Sequence, residues 1–324
     1  MASSVLITGG MGFIGSHLAR ALLKKGYSNI VLIDVIVSDK LVKDIKDRVT
    51  MVRCDVTDVW DLNDVFRTYK PQVVFHLASP LSAAMEANPR MGFRVAIEGT
   101  FNVYEMARVY KSEMIIFTSS IAAYGTNVES RDNVIEDTYT VPYTLYGVSK
   151  QYGEMLGLWF HRKYGIEFAA FRLASVIGPG RANGGVSAYT ALIISKAALG
   201  EEYVIYVSED TAIPIVYVKD AADALITAYE KKNKLISRIY NIASLVRSPT
   251  AAELVNAVKK FIPDAKLIFK PDPKMTAIAK SWPRSISIER FKREVGWMPK
   301  YDNLELLIKD FIDEVRQNPE MYRV

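Results

Sequence analysis

A chain of 324 residues, half of them apolar, is long enough to bury one large core or two unequal ones. Its net charge of +5 comes from 41 lysines and arginines scattered among 36 carboxylates, without a basic block or an aromatic-basic repeat, which argues against nucleic-acid binding. The single Cys54 excludes an intramolecular disulfide, the dispersed His17, His76 and His161 form no metal-ligand cluster, and no apolar run reaches a membrane span or a signal peptide, so the expectation is a cytoplasmic protein without metal or membrane partner.

Along the chain, Val5-Leu6-Ile7 reads as a short buried strand, followed by Thr8-Gly9-Gly10-Met11-Gly12-Phe13-Ile14-Gly15 and a helical run from Ser16 to Lys25. Strand, glycine turn and helix make a phosphate cradle: the glycines allow the tight turn and close backbone approach, and the helix start offers free N–H groups to an anion. Gly9, Gly12, Phe13, Ile14 and Gly15 are therefore candidate contacts to a dinucleotide. The spacing is Gly-x-x-Gly-x-x-Gly rather than the simplest fingerprint. A second apolar strand, Ile30 to Ile33, ends at Asp34, where a carboxylate can hold both ribose hydroxyls; no arginine follows to welcome a 2′-phosphate, which favours NAD over NADP.

Alternation continues through Thr50 to Cys54, a helix around Asp61 to Tyr69, Gln72 to Ala78, a helix around Arg94 to Tyr110, and Glu113 to Ser119. That rhythm predicts an α/β fold, a doubly wound parallel sheet of the Rossmann type. A helix carrying Tyr146 and Lys150 runs to about Tyr164, and Glu167 to Leu173 reads as a sixth strand. The apolar stripe of that helix, with Tyr152, Met155, Leu158 and Trp159, is wider than one core face needs, so a homodimer packed through it is expected, a broad face buried within one chain being the alternative. After Ile177-Gly178-Pro179-Gly180 the rhythm breaks into a glycine-rich loop and shorter, proline-marked elements. The expected division is a dinucleotide-binding domain over 1–175 and a smaller substrate-binding lobe over 176–324, with room for elements to return to the first domain.

Tyr146-x-x-x-Lys150 places a phenol and an ammonium on one helix face. A phenol working as a base near neutrality must drop roughly three units, about 4 kcal/mol, and a nearby lysine supplies part of that. Read alone, the pair is more often an exposed helix contact.

Together the glycine turn, Asp34, Asp55-Val56, His76-Leu77-Ala78, Ser119-Ser120, Tyr146-x-x-x-Lys150 and, near the end, Gly296-Trp297-Met298-Pro299 resemble the extended short-chain dehydrogenase/reductase superfamily, the NAD-dependent epimerase/dehydratase family, over nearly the whole chain. The resemblance implies that Ser120 hydrogen-bonds the substrate oxygen, with Ser119 as the competing serine, while Tyr146 exchanges its proton and Lys150 lowers the tyrosine pKa and holds the nicotinamide ribose. It also implies that Asp55, Val56, Leu77, Ala78, Ser79 and Leu173 line the NAD site.

Within that superfamily the second half resembles the epimerase-like L-threonine 3-dehydrogenases: Pro80-Leu81-Ser82-Ala83, Gly184-Gly185-Val186-Ser187-Ala188-Tyr189, Ser208-Glu209-Asp210 with Ile213-Pro214, and Ser281-Trp282-Pro283. The resemblance implies that Ser82, Gly185, Ser187 and Trp282 join Ser120 and Tyr146 around the substrate. Four positions depart: Ala188 stands where the family loop has aspartate, Ala96 replaces an asparagine, and Leu173-Ala174 replaces Tyr-Pro. Glu209 or Asp210 are candidates to replace the missing carboxylate. The expected activity is NAD-dependent oxidation of a small hydroxy compound, first L-threonine. The alternative is a UDP-glucose/UDP-galactose type 4-epimerase retaining its NAD, for which Arg172 or Arg181 would replace a phosphate-gripping arginine that the chain lacks beside Ile213-Pro214. A cofactor-sensing protein without chemistry is a third reading.

Overall fold

The short apolar runs at the start of the chain are buried on both faces, as strands of a helix-covered parallel sheet must be. The structure, a computed structural model, describes residues 4–126, 130–182 and 184–323. Its first half builds β1 (Val5–Thr8), α1 (Phe13–Lys24), β2 (Ile30–Asp34), β3 (Thr50–Arg53), α2 (Val59–Tyr69), β4 (Val73–His76), α3 (Ser82–Ala87), α4 (Pro89–Phe93), α5 (Gly99–Val109), β5 (Met114–Ser120) and α6 (Leu145–Tyr164). The second half adds β6 (Glu167–Leu173), β7 (Ser175–Ile177), α7 (Tyr189–Ala198), β8 (Tyr203–Ile205), β9 (Ile215–Tyr217), α8 (Val218–Glu230), β10 (Ile239–Ile242), α9 (Ala251–Phe261), β11 (Leu267–Phe269), α10 (Pro273–Ser281), α11 (Glu289–Val295), α12 (Leu304–Gln317) and α13 (Pro319–Tyr322).

Seven parallel strands form the central sheet in the order β10-β6-β5-β4-β1-β2-β3. From β1 the chain winds outward through β2 and β3, then returns to wind the other way through β4, β5 and β6. The strand order therefore reverses between β1 and β4, and the crevice beyond their carboxyl ends is where such sheets bind ligands. On one face α1 packs against α8; on the other, α5 and α6 cover the sheet around the buried rings of Tyr104, Phe117, Phe160 and Phe168. Two small parallel pairs, β7 with β9 and β8 with β11, lie outside the main sheet, while β10 joins its edge beside β6.

Local chemistry sets where α6 begins and how near it lies. The Thr144 side chain accepts the Gly147 N–H at 3.1 Å to cap its start, and Gly165, in the left-handed region at φ +72°, ends it. At Gly153 a Cβ would fall 2.4 Å from the Phe117 ring, so only glycine lets the helix bearing Tyr146 and Lys150 approach β5 this closely.

Candidate active site

The glycine turn connects β1 to α1 at the reversal point. Gly9 has φ +66°, and a Cβ there would meet the Ala78 backbone at 3.1 Å; a Cβ on Gly15 would lie 2.4 Å from the Gly9 carbonyl. Removing side chains at these positions leaves a cradle of backbone, and the first amides of α1, from Phe13 through Gly15, have no acceptor within their own helix. Asp34 is the last residue of β2, half-buried, and its carboxylate accepts the Val35 N–H at 2.9 Å. Burial raises its pKa, and the Val35, Ile36 and Met11 amides oppose the rise.

Beneath the turn, a hydrogen-bond chain fixes one histidine tautomer. Thr100 donates to the Ala96 carbonyl at 2.8 Å, leaving its oxygen to accept His76 Nε2–H at 3.0 Å. His76 Nδ1 then accepts the Thr8 hydroxyl at 2.7 Å, and the Thr8 oxygen in turn accepts the Leu77 and Ala78 amides, both at 3.1 Å. Burial, with the Lys150 charge adding to it, pulls the His76 pKa down to about 3, so the ring is neutral and positions Leu77 and Ala78 against Gly9. The part of His76 was missed by motif reading; a histidine ending a fully apolar strand was the signal that could have found it.

Asp55 and Val56 follow β3. Asp55 accepts the Thr57 N–H at 2.8 Å, and the Val56 carbonyl accepts Asn102 Nδ2 at 3.1 Å from α5. Leu173 ends β6 opposite Ser120, and Ser79 lies half-buried just past β4.

At the end of β5 the two neighbouring serines diverge. Ser119 donates at 2.5 Å to Glu154, which also takes a two-pronged ion pair from Arg172 at 2.8 and 2.7 Å. Ser120 accepts the Ala122 N–H at 3.2 Å, and its hydroxyl lies where it acts on the Tyr146 phenol. Burial raises the Tyr146 pKa, against which the Ser120 hydroxyl and the Arg181 charge act. Lys150 lies under the phenol, its Nζ 5.1 Å from the ring centres of both Tyr146 and Phe117, and donates to the Thr118 carbonyl at 3.0 Å. Burial pulls its pKa down to about 7, with the Glu154 carboxylate opposing.

The loop before α7 forms the facing wall. Tyr206 donates to the Gly185 and Val186 carbonyls, each at 3.2 Å, and Ser187 accepts Arg181 Nη2 at 2.8 Å. Ser82 begins α3, and its Oγ is 3.8 Å from where a Gly185 Cβ would be, so Ser82 and the loop face one another. Ala188 is fully buried. Asp210 is held by Lys280 at 2.6 and 2.8 Å, and it and Glu209 are exposed, so neither is positioned by a described contact to take the place of the family aspartate. Trp282 caps the end of α10 and packs against the main core, its carbonyl accepting Arg131 Nε at 2.8 Å; no described contact joins it to Tyr146.

The family model for the NAD dependent epimerase/dehydratase family matches residues 5–243. The chain belongs to this family. An uncharacterized epimerase/dehydratase of Staphylococcus saprophyticus is 31% identical over 319 residues, 96% of each chain. The holo form of an L-threonine dehydrogenase from Cupriavidus necator superposes with a TM-score of 0.88 at 31% identity, covering 96% of this chain and 99% of that one. UDP-glucose 4-epimerase of Thermus thermophilus, in complex with NAD, gives a TM-score of 0.84 at 26% identity, covering 97% of this chain and 99% of that one. The cofactor of this epimerase/dehydratase is NAD, and the side-chain-free cradle at Gly9 and Gly15 fits its pyrophosphate. No helix among the described residues is long and apolar enough to cross a membrane, and those residues hold no cluster of metal ligands.

Proposed function

We propose that this epimerase/dehydratase family member is an NAD-dependent dehydrogenase of a small hydroxy compound, with L-threonine, oxidised to 2-amino-3-oxobutanoate, as first candidate. The observation that carries the reading is the gathering of Ser120, Tyr146 and Lys150 at the end of β5, with Lys150 Nζ 5.1 Å from the Tyr146 ring centre and the Ser120 hydroxyl acting on the phenol. A substrate hydroxyl entering between Ser120 and Tyr146 would accept a hydrogen bond from the serine and give its proton to the tyrosine oxygen. The C–H electrons of the same carbon must leave as hydride, and the nicotinamide ring at C4 supplies that acceptor when NAD is bound. Lys150, charged, would favour the phenolate and reach the ribose. Asp34 would hold the other ribose, and Gly9, Gly12, Phe13, Ile14, Gly15, Asp55, Val56, Leu77, Ala78, Ser79 and Leu173 would line the cofactor path.

The 4-epimerase reading is supported by the likeness to the Thermus enzyme. It lacks one of its two substitute phosphate clamps, because Arg172 is occupied by Glu154 and the Glu136 carbonyl. The deciding experiment mixes the protein and NAD with L-threonine, other 3-hydroxy acids, and UDP-glucose. Net NADH with a hydroxy acid is expected. Conversion of UDP-glucose to its 4-epimer without net NADH would replace this reading with the epimerase.

A further inference from the structure

Arg181 follows the Gly178-Pro179-Gly180 turn, after β7, and folds back into the site. Its Nη1 donates to the Val176 carbonyl and approaches Ser175 Oγ at 3.4 Å, while Nη2 donates to Ser187 Oγ at 2.8 Å. Both ends of the fork are therefore fixed, one by a strand end and one by the loop. The ionisable groups that act on it are the phenols of Tyr146 and Tyr206, and no carboxylate among the described residues pairs with it. Arg172, by contrast, is closed off by its ion pair with Glu154. A half-buried guanidinium within electrostatic reach of the reacting phenol and without a carboxylate is a costly arrangement unless a ligand completes it.

We infer that Arg181 is the carboxylate anchor of the substrate pocket: its guanidinium, fixed between Val176 and Ser187, receives the carboxylate of a small hydroxy acid whose hydroxyl lies at Ser120 and Tyr146. This inference rests on the dehydrogenase reading for the hydroxyl end and assigns the other end. Ser82 and Ser187, on the facing sides of the same wall, offer hydroxyl donors to the same carboxylate. Arg181 acts on Tyr146 as well, since a cation beside the phenol favours its ionised form.

The test is direct binding of butyrate and of neutral butyramide to the protein saturated with NAD, by calorimetry, for wild type, Arg181→Met and Arg181→Lys. Loss of a charge-assisted contact is expected to weaken butyrate about tenfold or more in R181M, with partial recovery in R181K and butyramide unchanged throughout. Equal butyrate affinity in wild type and R181M, or no preference of the wild type for butyrate over butyramide, overturns the anchor. Should R181M also lose NAD binding, Arg181→Gln, which can still donate a hydrogen bond without the charge, decides in its place by the same criterion. Butyrate has no hydroxyl to oxidise, so binding is read apart from turnover. Arg181-dependent binding with no NADH from any hydroxy acid would remove the dehydrogenase reading and leave the anchor standing.

Discussion

The Lys150 ammonium sits 5.1 Å from the centre of the Tyr146 ring and gives its hydrogen bond to the Thr118 carbonyl, 3.0 Å away. No described hydrogen bond joins it to the phenol, and burial leaves the lysine itself near the point of losing its proton. Lys150→Met should therefore lower turnover by roughly 10²- to 10⁴-fold, the range of acid–base contributions, while circular dichroism and thermal melting stay close to wild type. Steady-state rates within a few-fold of wild type would reduce the pair to a helix contact.

Ser120→Ala should move the pH profile as well as the rate. With the serine donating, its hydrogen bond stabilises the phenolate and holds the Tyr146 pKa down against burial; without it that pKa rises. If the phenolate is the base, the acidic limb of kcat/KM shifts to higher pH. A variant that loses rate with an unmoved limb would show that Ser120 positions substrate without tuning the tyrosine.

Asp34→Arg removes a carboxylate that accepts the Val35 amide and puts a cation at the end of β2. NAD affinity is expected to fall about tenfold or more, with NADP gaining relative to NAD. Titrations of both dinucleotides by intrinsic fluorescence check this, and unchanged affinity for both takes Asp34 out of the ribose site.

Val148, Met155 and Trp159 are exposed on α6 at spacings of seven and four, and Phe101 is exposed on the neighbouring α5. Packing of this face, which includes Met155 and Trp159 of the stripe from which a homodimer is expected, on its copy in a second subunit would bury it. Wild type should run as a dimer in light scattering, and the double change Met155→Glu, Trp159→Glu should give a monomer of unchanged circular dichroism. A monomeric wild type would dismiss the interface.

Much of the architecture is legible because parallel strands announce themselves as short apolar runs and their order follows from the alternation with helices. Glu167–Leu173 is read to the residue, and α1 only from Ser16, because Gly12 and Gly15 around its start carry no helical signal. Ser119 and Ser120, successive residues of β5, meet Glu154 and Tyr146 two turns apart on the same helix α6, an arrangement set by how the helix approaches the strand, a tertiary matter. Arg181 was legible as a spare cation, not as a neighbour of Tyr146, because its reach back depends on the path of a loop far along the chain from the tyrosine. The tautomer of His76 likewise needs Thr8 and Thr100, which no local window contains.

Glu154 serves two masters, neutralising Arg172 from β6 while opposing the loss of the Lys150 proton one turn earlier in α6. In many proteins a buried ion pair can be exchanged for apolar side chains of similar volume with stability kept or gained. That route to a sturdier fold is closed here, since removing Glu154 would let Lys150 discharge, and removing Arg172 alone would leave a bare carboxylate behind the site. Robustness and reactivity are coupled through one carboxylate, and selection acting on either is constrained by the other.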